Sequence, residues 1–469
     1  MARQSGTAMK GPNVASREAM GREGARLKRV AFRTSRFLDF VGQRELTAQI
    51  GHAAQEWPLV ILKELLDNAL DGCEEADTAP VITIDVSSAK GTIAITDNGP
   101  GIAGKTIAGI LDYGVRVSSR EAYVSPTRGA QGNALKTILA MGFALSGEHG
   151  ETAIESRGTA HRIVFAADRI RQEPRILHTT TRSLIKNGTS ITVHWPDSAC
   201  SILGEARARF LQIGDDFGWC NPHLSLSLTW DGETHAFPPP SNSDWQKWRP
   251  SNPTSAHWYD RARLERYIAA HIKRDQDQKR QRLVREFITE FRGLSGTPKQ
   301  KLVLDELDAA RISLAEFASN GSDFDHNVTD RLLAAMQKHT RPPKAKDLGV
   351  IGREHLLARF LACGAHAETF NYKAVIGDTE NGLPVVIETA FGWCPKGSER
   401  RIVTGVNFSV ALGNPFRSFG QTGEGLEHLL AQQRAGRDEP IIFVLHLASP
   451  RVEFADRGKT ALVIGERRT

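Results

Sequence analysis

The stretch Lys63-Glu-Leu-Leu-Asp-Asn-Ala-Leu-Asp-Gly-Cys-Glu-Glu-Ala76, followed by Asp97-Asn-Gly-Pro-Gly-Ile102, decides how this chain is read. At ~100° per residue, Ile61, Leu62, Leu65, Leu66 and Ala69 fall on one stripe of a helix. Lys63, Glu64, Asp67, Asn68 and Asp71 fall on the other face, with Glu64 and Asn68 one turn apart. On an average helix such a face is simply solvated. The sequence that follows argues against this. Val81-Ile-Thr-Ile-Asp-Val86 and Thr92-Ile-Ala-Ile-Thr96 read as two strands joined by a Lys90-Gly91 turn. The second strand runs into Asp97, after which Gly99 and Gly101 permit tight turns and close approach of a ligand. A lone DxGxG is weak, since any hairpin exit can produce one. Helix, hairpin and DxGxG in this order form a constellation where a nucleotide, a metal ion and a water could meet.

Two further segments extend it. Tyr113-Gly-Val-Arg116 opens a polar loop that ends in Arg128-Gly-Ala-Gln-Gly-Asn-Ala-Leu-Lys136 and turns helical after Gly132. A glycine-rich loop feeding a helix N-terminus presents free N–H groups to phosphates. Gly188-Thr-Ser-Ile-Thr-Val193 reads as a strand on the far side of the same sheet.

These residues resemble the GHKL ATPase superfamily, which includes gyrase B, MutL, the ninety-kilodalton heat-shock chaperone and the histidine kinases. Within it the sequence looks most like the B subunit of topoisomerase VI, from about residue 35 to about residue 463. The segments that carry the likeness are 62–76, 95–102, 128–132, Asn221-Pro-His223, Glu388-Thr-Ala-Phe-Gly392 and 444–460. The resemblance implies an α+β, α/β multidomain chain. Its parts would be a GHKL (Bergerat) ATPase α/β sandwich, a helix-two-turn-helix-like insert and a transducer of ribosomal-S5-like fold.

Roles follow from the resemblance. Glu64 would be the general base for the attacking water, a function worth ~10²–10⁴ in rate. Asn68 would give one neutral oxygen to Mg²⁺, with ATP phosphates and waters completing the octahedron. Asp97 would accept from the adenine amino group, Gly101 would make room for the ring, and Gly99, Ile102 and Thr189 would complete that end. Arg128, Gly129, Ala130, Gln131, Gly132 and Asn133 would wrap the phosphates as a lid. The family loop usually has a glutamine where Ala130 stands and a glycine where Ala134 stands, so lid geometry is the part the motif supports least. Lys136 is read as a helix-surface charge rather than a phosphate contact.

Near the other end, Ile441-Ile-Phe-Val-Leu-His-Leu447 is an apolar run of buried-strand type leading to Gly458-Lys459-Thr460. A Walker A loop is excluded, because Glu453 stands where its first glycine belongs. In the topoisomerase branch a lysine at this place reaches the γ-phosphate from the second domain, and Lys459 matches it. That match also argues against a histidine kinase.

Composition bounds the answer without deciding it. The 469 residues allow two or three domains, and a net charge of +6 permits nucleic-acid contact. Five scattered cysteines without CxxC spacing suit a reducing compartment rather than a zinc or disulfide framework. There is no membrane-length apolar run, so a cytoplasmic protein is expected, nucleoid-associated if it binds DNA. Expected divisions are a basic tail at 1–34, the ATPase domain at 35–236, a linker and helical insert at 237–325, and a transducer at 326–469. Phe237-Pro-Pro-Pro-Ser241 and Arg341-Pro-Pro-Lys344 read as linkers. In the insert, Lys273, Arg274, Lys279, Arg280 and Arg282 could meet a phosphate backbone or belong to a mixed-charge helix surface. In the transducer segment, strands near 372–377, 384–391 and 401–408, a helix near 424–434 and the strand 441–447 suggest a βαβ unit.

The family implies an ATP-dependent homodimer that acts on DNA, with cleavage supplied by a separate subunit. No glutamate and Asp-x-Asp pair stands in a Toprim-like arrangement here. Ten residues follow Lys459, ~15 Å if helical, too few for the long helix that joins topoisomerase VI subunits. The expectation is therefore a clamp subunit docking a cleaving partner by another surface. The alternatives are an ATP-gated switch in defence, mobile-element or repair complexes with a separate effector, and a chaperone-like protein clamp.

Overall fold

The computed structural model describes residues 40–113, 122–129, 134–242, 244–296, 298–321, 323–418, 424–456 and 458–463. The tail and the lid positions Ala130, Gln131, Gly132 and Asn133 lie outside the described residues.

Helices α1 (Gln43–Ile50) and α2 (Trp57–Glu75) precede the hairpin of β1 (Val81–Ser87) and β2 (Thr92–Asp97). Then come α3 (Gly104–Ile110), α4 (Ala134–Ser146), β3 (Gly150–Ser156), β4 (Thr159–Asp168), β5 (Glu173–Arg182) and β6 (Thr189–His194). Helices α5 (Cys200–Glu205) and α6 (Arg207–Cys220) lead to β7 (Ser225–Trp230) and β8 (Glu233–Ala236). The eight strands form one sheet in the order β5-β4-β3-β6-β2-β1-β7-β8. Neighbours are antiparallel except β1 and β7.

The alternation seen in the sequence sets the layers. Ile82, Ile84 and Val86 of β1, with Ile93 and Ile95 of β2, are buried in the same core as Leu62, Leu65 and Leu66 of α2 and Ile138 and Leu139 of α4. Strand β6 does not lie on the far side of the sheet. It pairs directly with β2, Asp97 opposite Thr189 and Ile95 opposite Ile191. Alternation marks a strand but not its neighbour, and here β3–β5 continue the sheet outward past β6.

The helical segment contains α7 (Arg261–Asp277), α8 (Val284–Phe287), α9 (Pro298–Leu307) and α10 (Leu314–Ala318). The short pair β9 (Ser319–Asn320) and β10 (Asp323–Phe324) leads to α11 (His326–His339). Asp260 caps α7 by accepting from the Arg263 N–H at 2.8 Å. Trp258, Leu264, Phe287, Phe291 and Val303 form a separate core that also takes Leu332 and Met336 of α11. Thus α11, assigned from the sequence to the final segment, packs with the helices before it, where its apolar stripe finds a partner. Of the candidate phosphate-binding cations, Lys273 pairs with Asp277 at 3.0 Å and Arg280 with Glu286 at 3.1 Å. Arg282 is buried against Asp275 at 2.9 Å.

Helix α12 (Arg353–Ala362) precedes β11 (Asn371–Asp378), β12 (Pro384–Trp393), β13 (Arg401–Val406), β14 (Ser409–Val410), α13 (Leu426–Gln432) and β15 (Ile441–Ala448). These strands form a second sheet in the order β11-β12-β15-β13-β14. Strands β13 and β15 are parallel with α13 between them, a βαβ unit. The strand expected over 401–408 stops at Val406, because Asn407 and Phe408 take left-handed φ values of +51° and +66° and turn the chain into β14. Val386, Ala390, Val403, Phe408 and Val444 join the core of the first sheet, and the described residues form one compact unit. An eight-stranded and a five-stranded sheet with helices packed on them make a mixed α/β architecture, the class that the resemblance implies.

Candidate active site

The β2–β6 register builds one wall of a cleft. Leu65, Asn68, Ala69 and Gly72 of α2 form the other wall, facing Ile95, Asp97, Pro100, Gly101, Ile102, Thr189 and Ile191. Five of the residues singled out in the sequence therefore line one cavity: Asn68, Asp97, Gly101, Ile102 and Thr189.

Its floor is held by a run of short bonds. The Gly99 N–H donates to Asp97 Oδ1 at 2.8 Å, and the Gly188 N–H to the Gly99 carbonyl at 2.8 Å. Ser156 Oγ accepts from the Ile102 N–H at 2.8 Å and donates to the Gly188 carbonyl at 3.0 Å. Burial pushes the Asp97 carboxyl up, against the N–H groups of Gly99 and Thr189. Ser156 was not singled out in the sequence. Nothing in Glu155-Ser-Arg157 distinguishes it, and only the register of β3 against β6 brings it under the DxGxG turn.

Along α2 the polar face is not solvated. Lys63, Asp67, Asp71 and Glu74 are buried, while Glu64 is half-buried and Asn68 exposed. Lys63 Nζ lies 2.7 Å from Asp67 Oδ2 and 3.6 Å from Glu64 Oε1. Burial alone would raise the Glu64 pKa, but Lys63, then Lys459 and His52, hold it below its ordinary value. Lys459 comes from the other end of the chain, as the sequence match implied. Its Nζ donates to the Arg128 carbonyl at 3.4 Å, and its charge acts on Glu64, Asp67 and Asp71. His52 Nε2 lies 3.2 Å from the Gly458 carbonyl, so the start of α2 is tied to the Lys459 turn.

Two sequence expectations change. The Arg128 side chain does not face the cleft. It is buried, donating to Asp71 at 2.8 Å, to both Glu74 oxygens at 2.8 and 2.7 Å and to Asn221 Oδ1 at 2.5 Å. Burial works against its charge, but Glu74 and Asp71 more than offset that. Three carboxylates on the inner face of α2 require cations, and Arg128 and Lys247 supply them, Lys247 at 2.7 Å from Glu74. Lys136 is not a surface charge either. It is 1% exposed, and its Nζ donates to the Asp112 carbonyl at 2.5 Å. Gly129 precedes the lid positions that lie outside the described residues.

The cleft suits the groups the resemblance implies. At Gly101, φ is +73° and an added Cβ would stand 2.6 Å from Ser156 Oγ, so the backbone there has the room only glycine leaves. The exposed Asn68 carboxamide offers the single neutral oxygen expected for Mg²⁺. Among the described residues no group of three or more His, Cys, Asp or Glu could hold a metal ion. No helix among them is long and apolar enough to cross a membrane.

No family model matches the sequence. The chain is 35% identical over 179 residues to the B subunit of type 2 DNA topoisomerase 6 from Halobacterium salinarum, covering 36% of this chain and 21% of the relative. It is 31% identical over 179 residues to its counterpart from Methanosarcina mazei, covering 36% of this chain and 28% of the relative. The matched region thus spans about a quarter of these relatives' length. Among solved structures, the ATPase region of Saccharomyces cerevisiae topoisomerase II bound to ICRF-187 aligns with a TM-score of 0.38 at 11% identity, covering 87% of this chain and 77% of that one. Over about a third of its length, the chain is therefore similar to the B subunit of type 2 DNA topoisomerase 6.

Proposed function

We propose that this chain binds and hydrolyses ATP with Mg²⁺ and serves as the dimerising clamp subunit of a type IIB topoisomerase-like DNA-processing complex whose cleavage is supplied by a partner. One observation carries the reading: Asn68 lines the Asp97–Gly101 cleft, Glu64 stands one turn from it on the same helix, and the charge of Lys459, from beyond the second sheet, acts on Glu64. In this account Asp97 accepts from the adenine amino group and Gly101 admits the ring. Glu64, ionised at neutral pH, orients the attacking water and takes its proton. Lys459 stabilises charge on the transferring phosphoryl group and makes the second sheet sensitive to its presence. Bound at Asn68, Mg²⁺ would supply charge neutralisation at the phosphates.

The DNA part of the reading is tested by measuring ATP turnover with and without long duplex DNA. The reading predicts a rise that fades with added salt, as phosphate-backbone contacts do. Turnover indifferent to DNA would remove the DNA clamp and favour a clamp acting on proteins.

A further inference from the structure

The turn between β13 and β14 meets α2 one helical turn from Glu64. Ser409 Oγ donates to Asp67 Oδ2 at 2.7 Å, the same oxygen that takes Lys63 Nζ at 2.7 Å. Lys63 Nζ stands 3.6 Å from Glu64 Oε1. A three-step path therefore runs from the second sheet to the carboxylate: Ser409, Asp67, Lys63, Glu64. Asp67 has little else to hold it. Its Oδ1 is buried without a hydrogen-bond partner among the described residues, and Arg128 Nε is 3.9 Å away.

The turn itself is anchored on both sides. The Phe408 carbonyl accepts from Arg128 Nε at 3.3 Å and from Asn221 Nδ2 at 3.1 Å, both from the part of the chain that builds the first sheet. The Phe408 N–H donates to His446 Nε2 at 3.1 Å, and His446 Nδ1 donates to Glu388 Oε2 at 3.1 Å inside the second sheet. The Asn407 carboxamide oxygen accepts from the Ser449 N–H at 2.9 Å. A bulky residue with φ of +66° is strained, and such strain persists only where the surroundings over-determine it.

We propose that Ser409 is a positioning residue for hydrolysis: through Asp67 and Lys63 it sets the orientation of Glu64, so the catalytic carboxylate reads the place of the second sheet directly. This contact is distinct from that of Lys459, whose Nζ donates to the Arg128 carbonyl and whose charge also acts on Asp67 and Lys63. It rests on the ATPase reading above. Arg128 and Asn221 hold the turn against α2, and this explains why a lid-motif arginine points away from the cleft.

The test compares Ser409→Ala and Ser409→Thr with the unaltered full chain in steady-state ATP turnover, normalised to bound ATP and accompanied by thermal midpoints. The expected result is a kcat lower by about three- to thirty-fold in Ser409→Ala. KM for ATP should stay within about two-fold, and Ser409→Thr, which keeps the hydroxyl, should restore most of the rate. A purely structural role would lower the midpoint without changing turnover per bound ATP, and that result overturns the proposal. Equal losses in both variants also overturn it, because the hydroxyl would not be the agent. No turnover by the unaltered chain would overturn the ATPase reading itself, a distinguishable result.

Discussion

Gly101 carries two independent constraints. Its φ of +73° is left-handed, and an added Cβ would meet Ser156 Oγ at 2.6 Å and the Gly188 carbonyl at 2.9 Å. The conformational term alone costs roughly 1–2 kcal/mol for a side-chain-bearing residue, and the clash adds to it. Gly101→Ala is expected to lower the thermal midpoint by several degrees and ATP affinity by at least about ten-fold, from the distorted floor. Calorimetric binding checks this, and ATP affinity equal to the unaltered chain would show that the floor does not shape the nucleotide site. At this scale the sequence was informative where a residue type had a geometric reason. Asp97 and Gly101 meet because a strand end and a DxGxG turn leave few other arrangements, whereas Thr189 comes opposite Asp97 only through the β2–β6 pairing, which alternation does not reveal. Ser409 and Ser156 carried no such sign, since a lone serine acquires a role only through what another segment brings to it.

At the scale of elements, α2 shows both what periodicity reveals and what it hides. The stripe Ile61, Leu62, Leu65, Leu66 and Ala69 packs on the sheet as its spacing predicts. The motifs after the helix argued that the opposite face is not simply solvated, but not what covers it: Asp67, Asp71 and Glu74 are buried under Arg128, Lys247 and Ser409 from distant positions. Hydropathy counts charges and cannot see that they are paired. Strand β12 presents a similar case in Glu388, which is fully buried. It accepts from Ile351 N–H at 2.8 Å, Gly352 N–H at 3.0 Å and the Tyr372 hydroxyl at 2.7 Å, besides His446. Burial pushes its pKa up, but His446 and the two backbone donors outweigh that and hold it below the ordinary value. A carboxylate lowered on folding contributes stability above its unfolded pKa of about 4.3 and loses it as pH falls through the folded value. Glu388→Gln is therefore expected to cost about 1.5–3 kcal/mol at neutral pH, with the difference from the unaltered chain shrinking in acid. Urea midpoints measured across pH would check it, and a penalty that stays constant or grows in acid would contradict the assignment.

For the whole molecule, the decisive feature is that residues almost four hundred apart share one electrostatic site. Glu64 and Lys459 influence each other's charge, and His52 ties the entry of α2 to the Lys459 turn. Domain boundaries read from proline runs gave no hint that the two sheets share a core, or that α11 belongs with the helical segment. Linkers are written in the chain, whereas packing partners are not. If this composite site hydrolyses ATP as proposed, Glu64 acts on water and Lys459 on the γ-phosphate. The most direct test is phosphate release by the purified chain with Mg²⁺ and ATP, compared with Glu64→Ala and Lys459→Ala, each with its ATP affinity measured alongside. The account predicts turnover by the unaltered chain, a loss of at least about a hundred-fold in Glu64→Ala, and a marked loss in Lys459→Ala, with ATP still bound by both. Turnover by Glu64→Ala at the unaltered rate, or an unaltered chain that neither binds nor hydrolyses ATP, would contradict it.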